Sequence, residues 1–261
     1  MKKLFIILTA ALGIFVAGPS GQARVVTNFF DVDPQWSVLN NQNSTNNFGY
    51  SASTTVAGGS AGEVGGRIQR TNYDAYYADT ASFGSNFLTL DNSFFASGKF
   101  DVTNANAMDN DPIIGHFSEG VDDKSLAGLL VQENSAGNFR VGARIRLANG
   151  TSRDSSLSII PQNGDYWFSY AYDPNGGTNS QGRLSLNVTN GTYNLNYAVD
   201  LTAADRAVGA TFDGWGLYSR AISTSTAFGE VYMDDVIYLV PEPSALALLG
   251  LSGLLLMWRR R

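Results

Sequence analysis

Between residues 24 and 240 no apolar stripe keeps helical spacing for three turns. Short runs instead alternate apolar and polar residues, and clusters of Gly, Asn, Asp and Ser separate them, which is the pattern of strands and turns. The alternation predicts strands near Val25–Phe30, Phe48–Ser53, Glu63–Arg70, Asn86–Leu90, Gly98–Val102, Ile113–Phe117 and Leu126–Gln132. It predicts more near Phe139–Leu147, Ser156–Ile160, Tyr166–Tyr172, Arg183–Val188, Thr192–Val199, Phe212–Tyr218 and Glu230–Leu239. Asp173-Pro174-Asn175-Gly176-Gly177 and Asn190-Gly191 read as turns between strands. One short helix is expected at Ala203–Val208, capped by Asp200 or Thr202. Many short strands at regular spacing predict an all-β sandwich or barrel, as one domain.

The two ends follow other rules. Lys2 and Lys3 precede the uncharged run Leu4–Ala17, and the small residues Gly21 and Ala23 set up a cut after Ala23. Residues 1–23 therefore read as a signal peptide, removed by signal peptidase. At the other end Pro241-Glu242-Pro243 precedes the uncharged stretch Ala245–Trp258 and then Arg259, Arg260 and Arg261. As a helix, that stretch of 14 residues is about 21 Å long, short of the roughly 30 Å hydrocarbon core. It is a marginal anchor whose arginines belong in the cytoplasm. A plain tail anchor and a lipid-anchor signal are the rival readings.

The order of motif, apolar stretch and arginine cluster over residues 240–261 resembles the PEP-CTERM sorting signal of exported bacterial proteins. That resemblance implies Pro241, Glu242, Pro243 and Arg259–Arg261 as the sorting motif, with an exosortase as processing partner. It also implies transient residence in the inner membrane and a final place on the cell surface or in a matrix rich in exopolysaccharide. Within residues 24–239, Trp36, Phe48-Gly49-Tyr50-Ser51, the Gly-rich stretch Gly58–Gly66, Phe212–Leu217 and Val231–Tyr238 resemble the concanavalin A-like (laminin-G-like) jelly rolls. The resemblance implies two packed antiparallel sheets, flanked in the precursor by a signal helix and a transmembrane helix. Function does not follow from such a fold, which hosts lectins, hydrolases, lyases and adhesion modules.

Composition narrows the chemistry. The chain has no Cys and a single His, His116, which excludes disulfides, thiol nucleophiles and multi-histidine metal sites. Between the two ends lie 12 basic and 22 acidic residues, a net charge of about −10. So acidic a body does not suit nucleic acid. A glycosidase needs two carboxyls across the scissile bond. The carboxylates Glu63, Glu119, Glu133 and Glu230 are scattered, and the pair Glu230 and Asp234 is not extended by a third. A non-enzymatic body is therefore expected.

Two binding chemistries remain. Asp234 and Asp235, joined by Asp31 and Asp33 if the body's two ends meet, are candidates for a structural calcium, as are Asp109-Asn110-Asp111 and Asp122-Asp123. The opposing reading takes all of them as turn-formers and strand ends; no cofactor is required. Tyr73, Tyr76 and Tyr77, read as a polar loop, and Trp167 are candidates for stacking on sugar rings. Tyr166, Phe168, Tyr170 and Tyr172 share the strand face opposite Trp167 and read as core. The expectation is an exported surface or matrix protein, sorted through its tail, non-enzymatic and associated with extracellular polysaccharide. A secreted glycan-binding module and a carbohydrate-active enzyme are the alternatives.

Overall fold

The computed structural model describes residues 23–105, 111–120, 124–134, 137–220 and 227–242. The signal segment, the apolar tail with Pro243 and Arg259–Arg261, and Asp109, Asn110, Asp122 and Asp123 lie outside them. In chain order the strands are β1 (Ala23–Asn28), β2 (Ser37–Leu39), β3 (Asn47–Ser51), β4 (Glu63–Gln69), β5 (Ala75–Asp79) and β6 (Leu88–Thr89). Then come β7 (Phe94–Asn104), β8 (Ile113–Phe117), β9 (Leu126–Glu133), β10 (Asn138–Arg146), β11 (Ser152–Asp154) and β12 (Ser158–Pro161). The last are β13 (Tyr166–Asp173), β14 (Arg183–Thr189), β15 (Asn194–Asp200), β16 (Thr211–Phe212), β17 (Gly214–Ser219) and β18 (Phe228–Pro241), with helix α1 (Ala203–Val208) before β16.

Two sheets of eight strands form the body. The first has the order β15-β14-β13-β7-β18-β4-β3, with β1 also paired to β18. The second has the order β11-β10-β9-β8-β17-β5-β2, with β12 on β10. All the named pairings are antiparallel. Strands distant in sequence are thus neighbours in space, as in a two-sheet jelly roll. The alternation of β13 decides its faces. Tyr166, Phe168, Tyr170 and Tyr172 point into the core, while Trp167, Ser169, Ala171 and Asp173 point out. Helix α1 has the predicted bounds. Thr202 caps it in a reciprocal box with Asp205, which removes Asp200 from that role.

A polar seam crosses the core between the sheets. His116 of β8 is fully buried, with Nδ1 2.8 Å from Tyr170 Oη of β13 and Nε2 2.8 Å from the Leu239 carbonyl of β18. Trp215 Nε1 of β17 donates to Tyr170 Oη at 2.9 Å. A carbonyl only accepts, so Nε2 carries the proton, Tyr170 donates to Nδ1, and Tyr170 accepts from Trp215. Every member is satisfied only if the imidazole is neutral. Tyr238 stacks on Trp215 with centroids 4.1 Å apart and donates to Asp79 Oδ2 at 2.6 Å.

The structure corrects two predictions. β5 was expected as a polar loop, yet all five of its residues are buried. Tyr77 joins the main core, while Tyr76 and Ala78 pack with Ile113, Phe117, Leu126, Leu130 and Tyr218 in a second cluster. A strand buried on both faces has no alternation to betray it. The final strand also continues through Pro241, past its predicted end at Leu239, and pairs Pro241 with Ala23.

Burial pushes the His116 imidazole down to about 4, against a lesser opposing effect of its bond to Leu239. Because the folded value lies below the unfolded one, about 6.5, protons bind preferentially to the unfolded chain between those pH values. The seam's contribution is therefore full above about pH 6.5 and falls by on the order of 3 kcal/mol by about pH 4. Asp234, pushed up to about 6 mainly by burial, acts in the opposite sense and masks part of this slope. The chain's single imidazole should stay neutral to about pH 4 in NMR titration of folded protein and titrate near 6.5 in urea. A folded-state midpoint near 6.5 would contradict the buried, neutral seam.

Candidate functional site

The outward faces of β7, β13, β14 and β15 lie side by side. Register places Ser97, Ser169, Asn187 and Asn196 in one row across the four strands, and Phe95, Ala171, Ser185 and Ala198 in the next. The side chains in the middle of this face are small or carry amides and hydroxyls. They line a groove of about 520 Å³ bordered by Phe95. Asn187 Nδ2 donates to Asn194 Oδ1 at 2.8 Å and to Asn196 Oδ1 at 3.0 Å, so amides on two strands are held in one network. One row further along, Trp167 stands 48% exposed, paired in register with Lys99. A large indole left half in water beside a polar groove makes this face the candidate contact surface.

Lys99 links this groove to the last strand. Its Nζ lies 4.9 Å from the centre of the Trp167 ring, 2.5 Å from Asp235 Oδ2 and 3.3 Å from the Gly58 carbonyl. The register of β18 against β7 shifts between Asp234 and Ile237, where β18 carries an extra residue, and Asp235 takes φ +49°. Such a bulge re-aims side chains and bends its strand. Here it turns consecutive aspartates to different partners. Asp234 is buried, accepts the Asp235 N–H at 2.7 Å and packs on Gly58, where an added Cβ would come within 1.8 Å of Oδ2. The neighbouring Glu63 is buried as well and accepts the N–H groups of Val56 and Ala57 at 3.0 and 2.7 Å. The chain before β4 is thereby tied to the outer surface of the first sheet.

The other sequence candidates separate. Tyr76 and Tyr77 are buried and do not form a sugar platform with Tyr73, because β5 is an interior strand. Tyr77 Oη instead donates to Asp33 Oδ1 at 3.0 Å. That oxygen also accepts from the Gln35 N–H, and Asp31 is exposed. Asp31, Asp33, Asp234 and Asp235 therefore do not converge. Among the described residues no group of three or more His, Asp or Glu could hold a metal ion. Lys99 already supplies a cation between the Asp235 carboxylate and the Gly58 carbonyl, so the set does not fit calcium. Asp111 is taken by Arg144 at 2.6 Å. Glu230 accepts from Thr103 at 2.8 Å, and Asp234 is buried, so this pair does not open to solvent as two free carboxyls.

Trp167 alone was legible in the sequence. The groove's Ser97, Ser169, Ser185, Asn187 and Asn196 and its flanking Lys99 were not singled out. The signal was present as small polar residues at successive outward positions, but a single strand does not reveal which strands lie beside it. A second polar hollow, of about 560 Å³, lies at the β3–β4 side of the same sheet, lined by Gln42, Asn43, Asn47, Tyr50, Thr54 and Tyr232 over Gly49, Gly65 and Gly66.

Residues 239–261 match the PEP-CTERM protein-sorting motif. Pro241 and Glu242 of that motif are the last described residues, and among the described residues no helix is long and apolar enough to cross a membrane. No curated protein matches the chain. Solved structures similar to it include alginate lyase A1-II′ of polysaccharide lyase family 7, at 9% identity over 74% of this chain and 83% of that one, with a TM-score of 0.43. A native glycosidic hydrolase is similar at 8% identity over 86% and 98%, with a TM-score of 0.44. A CBM2 module of the evolved Dit of Lactobacillus casei BL23 phage J-1 is similar at 12% identity over 85% and 90%, with a TM-score of 0.35.

The ion pair at Lys99 sets an expectation for metal. Millimolar calcium added to chelator-stripped protein should leave its melting temperature unchanged. A rise that Asp234→Asn abolishes would assign the ion to Asp234.

Proposed function

We propose that the protein is an exported bacterial surface or matrix component, processed by an exosortase at its tail, whose body binds extracellular polysaccharide without cleaving it. The sorting motif at residues 239–261 carries the first part. In this reading signal peptidase removes residues 1–23, the apolar tail holds the body briefly at the inner membrane, and the released body reaches the cell surface. The pairing of Ala23 with Pro241 supports both cuts falling at the same end of the body. Both membrane-directed segments leave the body at one point, so a single orientation toward the membrane serves both cuts.

The groove beside Trp167 carries the second part. Sugar rings present flat C–H faces and rims of hydroxyls. An exposed indole and a row of Ser and Asn side chains offer the matching apolar face and hydrogen-bonding groups. Two things support binding without cleavage. His116, the one imidazole, is locked in the core. The strands under the groove present Ser, Asn and Ala where cleavage would require a positioned acid and base. Calcium plays no part in this reading.

Two measurements test these halves separately. Protein released from producing cells should have an intact mass lacking Ala245–Arg261. Replacing Pro241, Glu242 and Pro243 by Ala should leave the full chain in the inner membrane. A released form that keeps Trp258 and the arginines would reject exosortase processing. Trp167→Ala should weaken retardation in polysaccharide-containing native gels by roughly tenfold, about 1.4 kcal/mol. Its effect on stability should be small, because the ring is half exposed. New reducing ends or unsaturated products from the incubated polymer would instead establish an enzyme.

A further inference from the structure

We infer that the groove selects uncharged polysaccharide and turns away polyuronates, and that Asp235 enforces this selection by neutralising Lys99. The inference rests on the binding proposed above and names the class of polymer. Four strands underlie the groove, β7, β13, β14 and β15, and their cations are Lys99 at one end and Arg183 at the other. Each is already paired. Lys99 Nζ lies 2.5 Å from Asp235 Oδ2, and Arg183 Nε lies 2.5 Å from Asp200 Oδ1, with Nη2 2.8 Å from the second Asp200 oxygen.

A uronate arriving from solution competes with carboxylates tethered at contact distance, which hold the advantage of high effective concentration. It also approaches a body carrying about ten excess negative charges, whose repulsion extends over roughly 8 Å at physiological salt. A neutral sugar meets no such penalty, and its hydroxyls meet Ser97, Ser169, Asn187 and Asn196. The bulge in β18 is the structural cause. The extra residue between Asp234 and Ile237 carries the Asp235 carboxylate to Lys99 beside Trp167.

The test separates this inference from binding itself. Asp235→Asn should fold, because Asn readily adopts the φ of +49° found there and its amide can still accept a hydrogen bond from Lys99 in this partly exposed pair. Near-UV circular dichroism and the melting temperature check that it does. Full-length protein, in a zwitterionic detergent without a sugar headgroup, is run at low salt and pH 7 through native gels. One set holds neutral glucans and galactans, the other polygalacturonate and alginate. Wild-type protein should be retarded by a neutral polymer and not by the polyuronates. Asp235→Asn should gain polyuronate retardation of at least fivefold, removed by added sodium chloride and by the second substitution Lys99→Gln. Wild-type retardation by polyuronate as strong as by any neutral polymer overturns the selection while leaving binding intact. So does a folded Asp235→Asn that gains nothing. Retardation by no polymer overturns the binding proposal and this inference with it.

Discussion

A jelly roll made of strands drawn from all along the chain needs something that sets how its two sheets face each other. Hydrophobic packing alone tolerates sliding, because apolar contacts are non-directional. Here the directional element is the seam of Trp215, Tyr170, His116 and the Leu239 carbonyl, which joins β17 and β8 of one sheet to β13 and β18 of the other. Each donor has one acceptor, and at such depth a lost partner costs about 1–3 kcal/mol. A shift of one sheet by a single residue would orphan several groups at once. The only imidazole of the chain is thus a cross-tie of the core.

The outer face of the first sheet depends on that alignment. Tyr170 points inward to the seam, so its neighbours Ser169 and Ala171 must point outward, and with them Trp167. The same alternation on β14 and β15 brings Asn187 and Asn196 to the same face. One strand therefore supplies both the inter-sheet tie and part of the groove floor. The bulge in β18 is the complementary device. It lets the strand keep Val231, Met233, Val236 and Tyr238 in the core on either side of the extra residue, while freeing Asp235 to reach Lys99.

The strand carrying the bulge also ends in the sorting motif. β18 is the longest strand, running from Phe228 to Pro241, and it pairs with β4, β7 and β1. Its end is held by the first strand, down to Ala23 against Pro241. A processing enzyme acting after this point would meet chain that has already left the paired part of β18. The tail can then be removed without disturbing the fold.

What the sequence determined by itself were the features written in local order. Alternation in Tyr166–Tyr172 and Arg183–Val188, the helix Ala203–Val208 and the motif-stretch-arginine order at the tail each depend on neighbours along the chain. For these, periodicity, capping chemistry and composition are sufficient causes. Tertiary structure decided everything that depends on which strands become neighbours. It buried Tyr76 and Tyr77 in a strand covered on both faces, where no alternation survives. It gave Asp33 to Tyr77 and Asp235 to Lys99 in place of a common cation. It also assembled the groove from residues 95 to 196, because antiparallel pairing sets side by side, about 4.8 Å apart, strands that the sequence separates widely.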